Sequence, residues 1–217
     1  MARPPVNPNP VDWSGENPGI TLKDTVDGET TCLVSFFRVV VSPHGVGHAA
    51  FVLTDPLLKG TGAAVNTCFT DNEPLARYLL SDFVRFFGAW RGVPAVEQLT
   101  FTPANSFTHE GDQFSAWTER ITGPGVDVTL SWKALQEPFI VEYMKEQSAT
   151  GHHEMFSLFV PAGEAEVVAN GVKGEGVPGP RDILGTQSST AFLAFKNSIQ
   201  LFIAIEEKLE KRVETML

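Results

Sequence analysis

The sequence is short of cysteine and of positive charge, and it contains no long apolar run. Its two cysteines, Cys32 and Cys68, both fall in strand-like apolar segments, where a free thiol behaves as a small core residue. Their spacing leaves a disulfide open, but no Asn-x-Ser/Thr glycosylation acceptor accompanies them. Met1-Ala2-Arg3-Pro4-Pro5 lacks the apolar stretch of a signal peptide, and no window reaches the roughly 18 apolar residues of a membrane span. The expected compartment is the cytoplasm. Sixteen basic residues face 26 acidic ones, a net charge of −10. That field repels phosphate backbones and anionic headgroups, and no run of Lys or Arg offsets it, so neither nucleic acid nor a membrane is expected as a partner.

Several motifs are missing as well. No Gly-x-x-x-x-Gly-Lys-Ser/Thr phosphate loop occurs, and the Gly-rich stretch Gly171–Gly179 follows a strand without opening a helix, so a dinucleotide site is not expected. There is no Gly-x-Ser-x-Gly elbow and no Cys-x-x-Cys pair. No cofactor is expected. A metal site is not expected either: His152 and His153, adjacent on an extended chain, point to opposite sides, and no His-x-His with a following Glu is present.

What the chain does have is strand patterning. Apolar residues make up 42% and charged residues 19%, enough to build one sizeable core. The Pro-rich residues 1–18 read as an extended arm on which Trp13 alone is suited to dock. Ile20–Asp24 and Thr30–Val41 flank an Asp27-Gly28 hairpin signal. The second of these strands is apolar on both parities after Leu33, as a strand covered on both faces would be. Val46–Thr54 and Ala63–Thr70 follow. Asp71-Asn72-Glu73-Pro74 opens a helix expected over 72–90, with Leu79, Leu80, Phe83, Phe86 and Phe87 on its apolar face.

Strands are then expected at Gln98–Pro103, Gln113–Ile121 and Val126–Leu135, turned at 108–112 and at Gly123-Pro124-Gly125. A hairpin of Met155–Val160 and Glu164–Asn170 turns at Pro161-Ala162-Gly163, 171–187 reads as a loop, and Thr190–Phe195 as a last strand. Ile199, Phe202, Ile205, Leu209 and Val213 trace a helical stripe over 197–216. The expected fold is mainly β (α+β): residues 19–217 form a single antiparallel β-barrel-like domain with one inserted helix and one C-terminal helix. Closure is the natural way for about nine or ten strands to dispose of their edges. In outline this resembles calycin-like barrels, from which it differs by the helix at 72–90 and by lacking an early Gly-x-Trp.

The histidines are the candidate chemistry. In a meander, successive turns alternate between the ends of the sheet, so the loops around 108–112 and 145–153 belong at one end. They carry His109 with Glu110, and His152 with His153; His44 in the turn at 42–45 is a further member. Imidazole serves as acid or base near neutral pH, which makes His109, His153 and Glu110 the candidate catalytic residues. His44, His152, Trp117 and Trp132 are the candidate ligand-binding residues. Solvent-exposed histidines in turns and tryptophans in a core are the ordinary alternative. Three functions remain open: binding of a small, largely hydrophobic molecule in a barrel cavity; an enzyme of the cyclase, isomerase, hydrolase or decarboxylase class acting on such a molecule; and a structural or assembly domain. The C-terminal stripe also suits pairing of two copies, so a homodimer is expected.

Overall fold

The computed structural model describes residues 10–60 and 63–195. Among the described residues, one large mixed sheet of thirteen strands carries a single α-helix packed on it. Residues Ser14–Glu16 form β1, Gly19–Lys23 β2, Thr30–Val41 β3, Gly47–Leu53 β4 and Asn66–Thr70 β5. The helix, α1, follows at Glu73–Asp82. Strands β6 (Thr100–Pro103), β7 (Ser106–Gly111), β8 (Ala116–Gly123), β9 (Val126–Leu135), β10 (Phe139–Tyr143), β11 (Met155–Ala169) and β12 (Val172–Lys173) come next. A small hairpin, β13 (Pro180–Ile183) with β14 (Thr186–Ser189), stands apart from the main sheet, and β15 (Ala191–Phe195) ends the described chain.

The main path runs β6-β5-β4-β3-β1-β15-β11-β9-β8-β7. All its pairs are antiparallel except β5 with β6. The two strands at its ends are consecutive in the chain. The link between them bonds to both sides: the Ala104 amide donates to the Thr70 carbonyl and the Asn105 amide to the Thr122 carbonyl, each at 2.9 Å. One apolar cluster draws on one face of strands from both halves of this path, among them Ile20, Val34, Phe36, Phe69, Ile121, Leu130, Trp132, Leu158 and Leu193. That is the inner face. On the other face of β3, β4 and β5, Leu33, Phe37, Phe51 and Cys68 pack against Leu75, Leu79, Phe83 and Val84. The apolar run of β3 on both parities thus meets a covering on both sides. No described helix is long and apolar enough to cross a membrane.

Several expectations need correction. The helix stops at Asp82 rather than near residue 90, and Phe83 leaves the helical path at φ −131°. Its ring then packs on Trp13 (5.9 Å) and Tyr78 (5.6 Å), and a 3-10 turn at Val84–Phe86 buries Val84 while Phe86 stays 37% exposed. Tertiary packing overrides the three- and four-residue spacing. The turn expected at 108–112 is strand β7; the chain reverses at 112–115, where Asp112 Oδ1 accepts from the Phe114 and Ser115 amides. Gly111 makes this possible, since at its φ of +94° a Cβ would lie 2.1 Å from the Ala116 carbonyl oxygen.

The Pro161-Ala162-Gly163 turn is absent: β11 runs unbroken for 15 residues. It changes partner there, pairing with β15 up to Pro161 and with β9 from Ala162. A proline that lacks an N–H fits the point where a ladder changes hands. The expected 171–187 loop carries β12 and the β13–β14 hairpin. The arm is partly structured: β1 is inserted between β3 and β15, and Trp13 is buried. Gly15, at φ +148°, allows this close approach, because a Cβ would sit 1.9 Å from the Arg38 carbonyl oxygen. The C-terminal helix expected at 197–216 and the first nine residues of the arm lie outside the described residues.

Candidate functional site

Charged side chains cluster at one end of the inner face. Arg38 of β3 lies on the inward parity of Phe36, opposite His48 of β4. Its Nε donates to Glu16 Oε2 at 3.1 Å and its NH2 to Glu119 Oε2 at 2.7 Å; its NH1 lies 3.0 Å from His48 Nε2. Glu119 of β8 shares its parity with Trp117 and Ile121 and is completely buried. It also accepts from the Trp117 indole Nε1 at 2.9 Å. Burial pushes its carboxyl up to about 7, against the pull of Arg38 and the Trp117 bond. Burial acts to lower the Arg38 guanidinium, but Glu119 and Glu16 outweigh it and hold the pKa above the ordinary value.

His48 has a second anchor. Its backbone amide donates to Asp71 Oδ1 and its ring Nδ1 lies 2.6 Å from Asp71 Oδ2. A guanidinium only donates, so His48 Nε2 accepts from Arg38, and the ring proton sits on Nδ1, donated to Asp71. Burial works to raise the Asp71 carboxyl, yet the two bonds from His48 prevail and hold it below its usual range. Of the two candidate helix caps, Asp71 and Asn72, it is Asn72 that caps, its Oδ1 accepting from the Leu75 amide at 3.1 Å. Outside the pair, an open groove of about 590 Å³ is bordered by Arg38, Val40, Val46, His48 and Asp71.

Aromatic rings surround these charges. Phe107 stacks on His48 at 4.5 Å, His109 on Trp117 at 4.3 Å, and Phe195 meets Trp117 edge-on at 5.9 Å. Phe195 pairs with both Glu16 and Leu158, and Leu158 pairs with Ile140. Directly opposed residues share a face, so Ile140, Leu158 and, by alternation, Phe156 continue the inner face outward from the charged cluster. Ile140 is 52% and Phe156 50% exposed. Core-type surface therefore stays open on the face that carries the Arg38–Glu119 ion pair.

The expected histidine rim divides into two groups. His109 and Trp117 belong to the charged cluster. Glu110, one residue on in β7, alternates to the other face and is exposed. Trp132 is fully buried with its indole donating to the Gly19 carbonyl at 3.0 Å. His44 and His153 meet a different aromatic string on the helix side: His44 lies 4.7 Å from Tyr78, Tyr78 packs on Phe83, and His153 lies 4.5 Å from Phe83 and 4.1 Å from His152. His153 also approaches Asp12 at 3.6 Å. Among the described residues, no three of His, Cys, Asp and Glu gather as a metal-binding set. Sequence reasoning missed Glu16, Arg38, His48, Asp71 and Glu119. A signal existed for two of them: Arg38 and Glu119 are charges on the inward parity of otherwise apolar strands. Comparison with family models, with curated proteins and with solved structures finds no match.

Proposed function

We propose that the chain binds a small, largely hydrophobic organic molecule at this end of a barrel-like body formed by the curled sheet. The ligand's polar end meets Arg38, Glu119, His48 and His109; its apolar part lies along Phe195, Leu158, Ile140 and Phe156. One observation carries the reading: exposed Phe156 and Ile140 lie on the same sheet face as the Arg38–Glu119 pair, whose carboxylate is fully buried. A buried ion pair is a poor way to gain stability compared with apolar side chains, and charged groups with shifted acidity concentrate at functional sites. Small-molecule sites combine apolar walls with a few convergent polar groups. Both cysteines are free and buried, which suits a reducing cytoplasm.

A second reading is favoured by the 2.6 Å His48–Asp71 contact. An imidazole held in one tautomer by a carboxylate is the arrangement of a general base, so the same site would move a proton on its ligand. In the resting protein Nε2 is engaged by Arg38, and a ligand that draws the guanidinium away frees it.

Titration with the fluorescent probe anilinonaphthalene sulfonate tests the reading. Saturable binding is expected, weakened by about tenfold or more in Phe156→Asp and unchanged in Leu184→Asp, a control in the exposed β13–β14 turn. Absence of saturable binding, or equal loss in both variants, contradicts it.

A further inference from the structure

We infer that the polar end of the ligand is a carboxylate, taken up by Arg38 while Glu119 accepts a proton from solvent. The inference rests on the ligand-binding reading above. Three bonds from Arg38 use three of the five N–H donors of a guanidinium. Arg38 is still 20% exposed at its side chain, and it has no accepting atom, so a group that docks on its remaining donors must accept. Two of its three partners are already carboxylates, from Glu16 and Glu119. A planar fork that suits them suits a third carboxylate.

Charge balance explains why a proton must follow. The groups facing Glu119 are Arg38 from β3, Glu16 from β1 and His109 opposite it on β7, with the His48–Asp71 pair behind Arg38. A third carboxylate on one guanidinium leaves two negative charges in excess. Glu16 is 25% exposed and can be screened, whereas Glu119 is wholly enclosed. Burial has already brought the Glu119 carboxyl close to neutrality, so it takes up the proton most readily. The neutral acid still donates or accepts one bond within the cluster. The tail of such a ligand is aromatic or alkyl, matching Phe195, Phe156 and Ile140.

Calorimetric titration with phenylbutyrate, phenylbutylamine and phenylbutanol near neutral pH, in two buffers of different ionisation enthalpy, decides the matter. Phenylbutyrate is expected to bind at least about tenfold tighter than the alcohol, with a buffer-dependent heat that reports proton uptake. Glu119→Gln is expected to keep the binding and lose the buffer dependence, and Phe156→Asp to weaken it. If the amine or the alcohol binds as tightly as the acid and responds to Phe156→Asp, the carboxylate is overturned while the ligand site stands. Tight acid binding without proton uptake in the native protein overturns the role of Glu119. If none of the three binds, both readings fall.

Discussion

Arg38 and Glu119 meet at 2.7 Å although their strands, β3 and β8, are not neighbours in the sheet and the residues are 81 apart in sequence. The contact crosses the inner face, and it links the strand that carries the helix-covered side of the fold to the strand that carries Trp117. A salt bridge of this kind does not report surface charge. One partner is fully enclosed, so each depends on the other for its solvation.

Removing one partner alone should therefore be costly. Arg38→Leu leaves Glu119 buried without its cation and, at about pH 9 where that carboxyl is ionised in the native protein, is expected to lose about 3–5 kcal/mol. The Arg38→Leu, Glu119→Leu double variant should recover most of that loss, since no uncompensated charge remains. Urea unfolding of the four proteins forms the cycle; a single variant as stable as the native chain would contradict the assignment.

The acidity of Glu119 gives a pH signature with a definite sign. Its carboxyl lies at about 7 when folded, against 4.5 as an ordinary glutamate. Between those values the folded state holds more protons than the unfolded one, so stability falls as pH rises through this window and levels off above it. The difference corresponds to about 3 kcal/mol. Asp71 acts in the opposite sense and lower down: its depressed carboxyl contributes stability above its ordinary value of 3.8, lost as pH falls below it. Denaturant midpoints measured from about pH 4 to pH 8 should show the decline in the native protein and a flatter profile in Glu119→Gln.

Phe83 and Phe86 separate the observed helix end from the longer helix suggested by spacing. Phe83 is buried against Trp13, Tyr78 and His153, and Phe83→Ala is expected to lose about 3–5 kcal/mol. Phe86→Ala should lose about 1 kcal/mol or less, because its ring is partly exposed. Equal losses would restore the longer helix.

The strands were legible where one physical signal ruled. The alternation of Val126, Val128, Leu130 and Trp132 and the two-sided apolar run of β3 placed those elements correctly, because burial of one or both faces dictates such patterns. Local turn signals were less dependable. Pro161-Ala162-Gly163 marks a change of partner within one strand, and Gly111 with Asp112 places the reversal a few residues beyond His109. The histidines are divided by the face they pack on: His109 stacks on Trp117 at the charged cluster, whereas His44, His152 and His153 join the aromatic string on the helix side. The cluster itself joins β1, β3, β4 and β8, with Asp71 just beyond β5, and no local pattern encodes which inward charge faces which. The inward parity of Arg38 and Glu119 was readable; their pairing was not.

The four tryptophans provide the most direct test of the ligand site. Trp117 donates its indole N–H to Glu119 within the cluster, Trp132 donates to Gly19 in the core, and Trp13 and Trp90 pack with the helix side of the sheet. An NMR titration of the indole N–H resonances with phenylbutyrate is predicted to shift Trp117 progressively and saturably while Trp13 and Trp90 hold still. An unmoved Trp117, or a larger response from Trp13 or Trp90, would contradict binding at this end of the inner face.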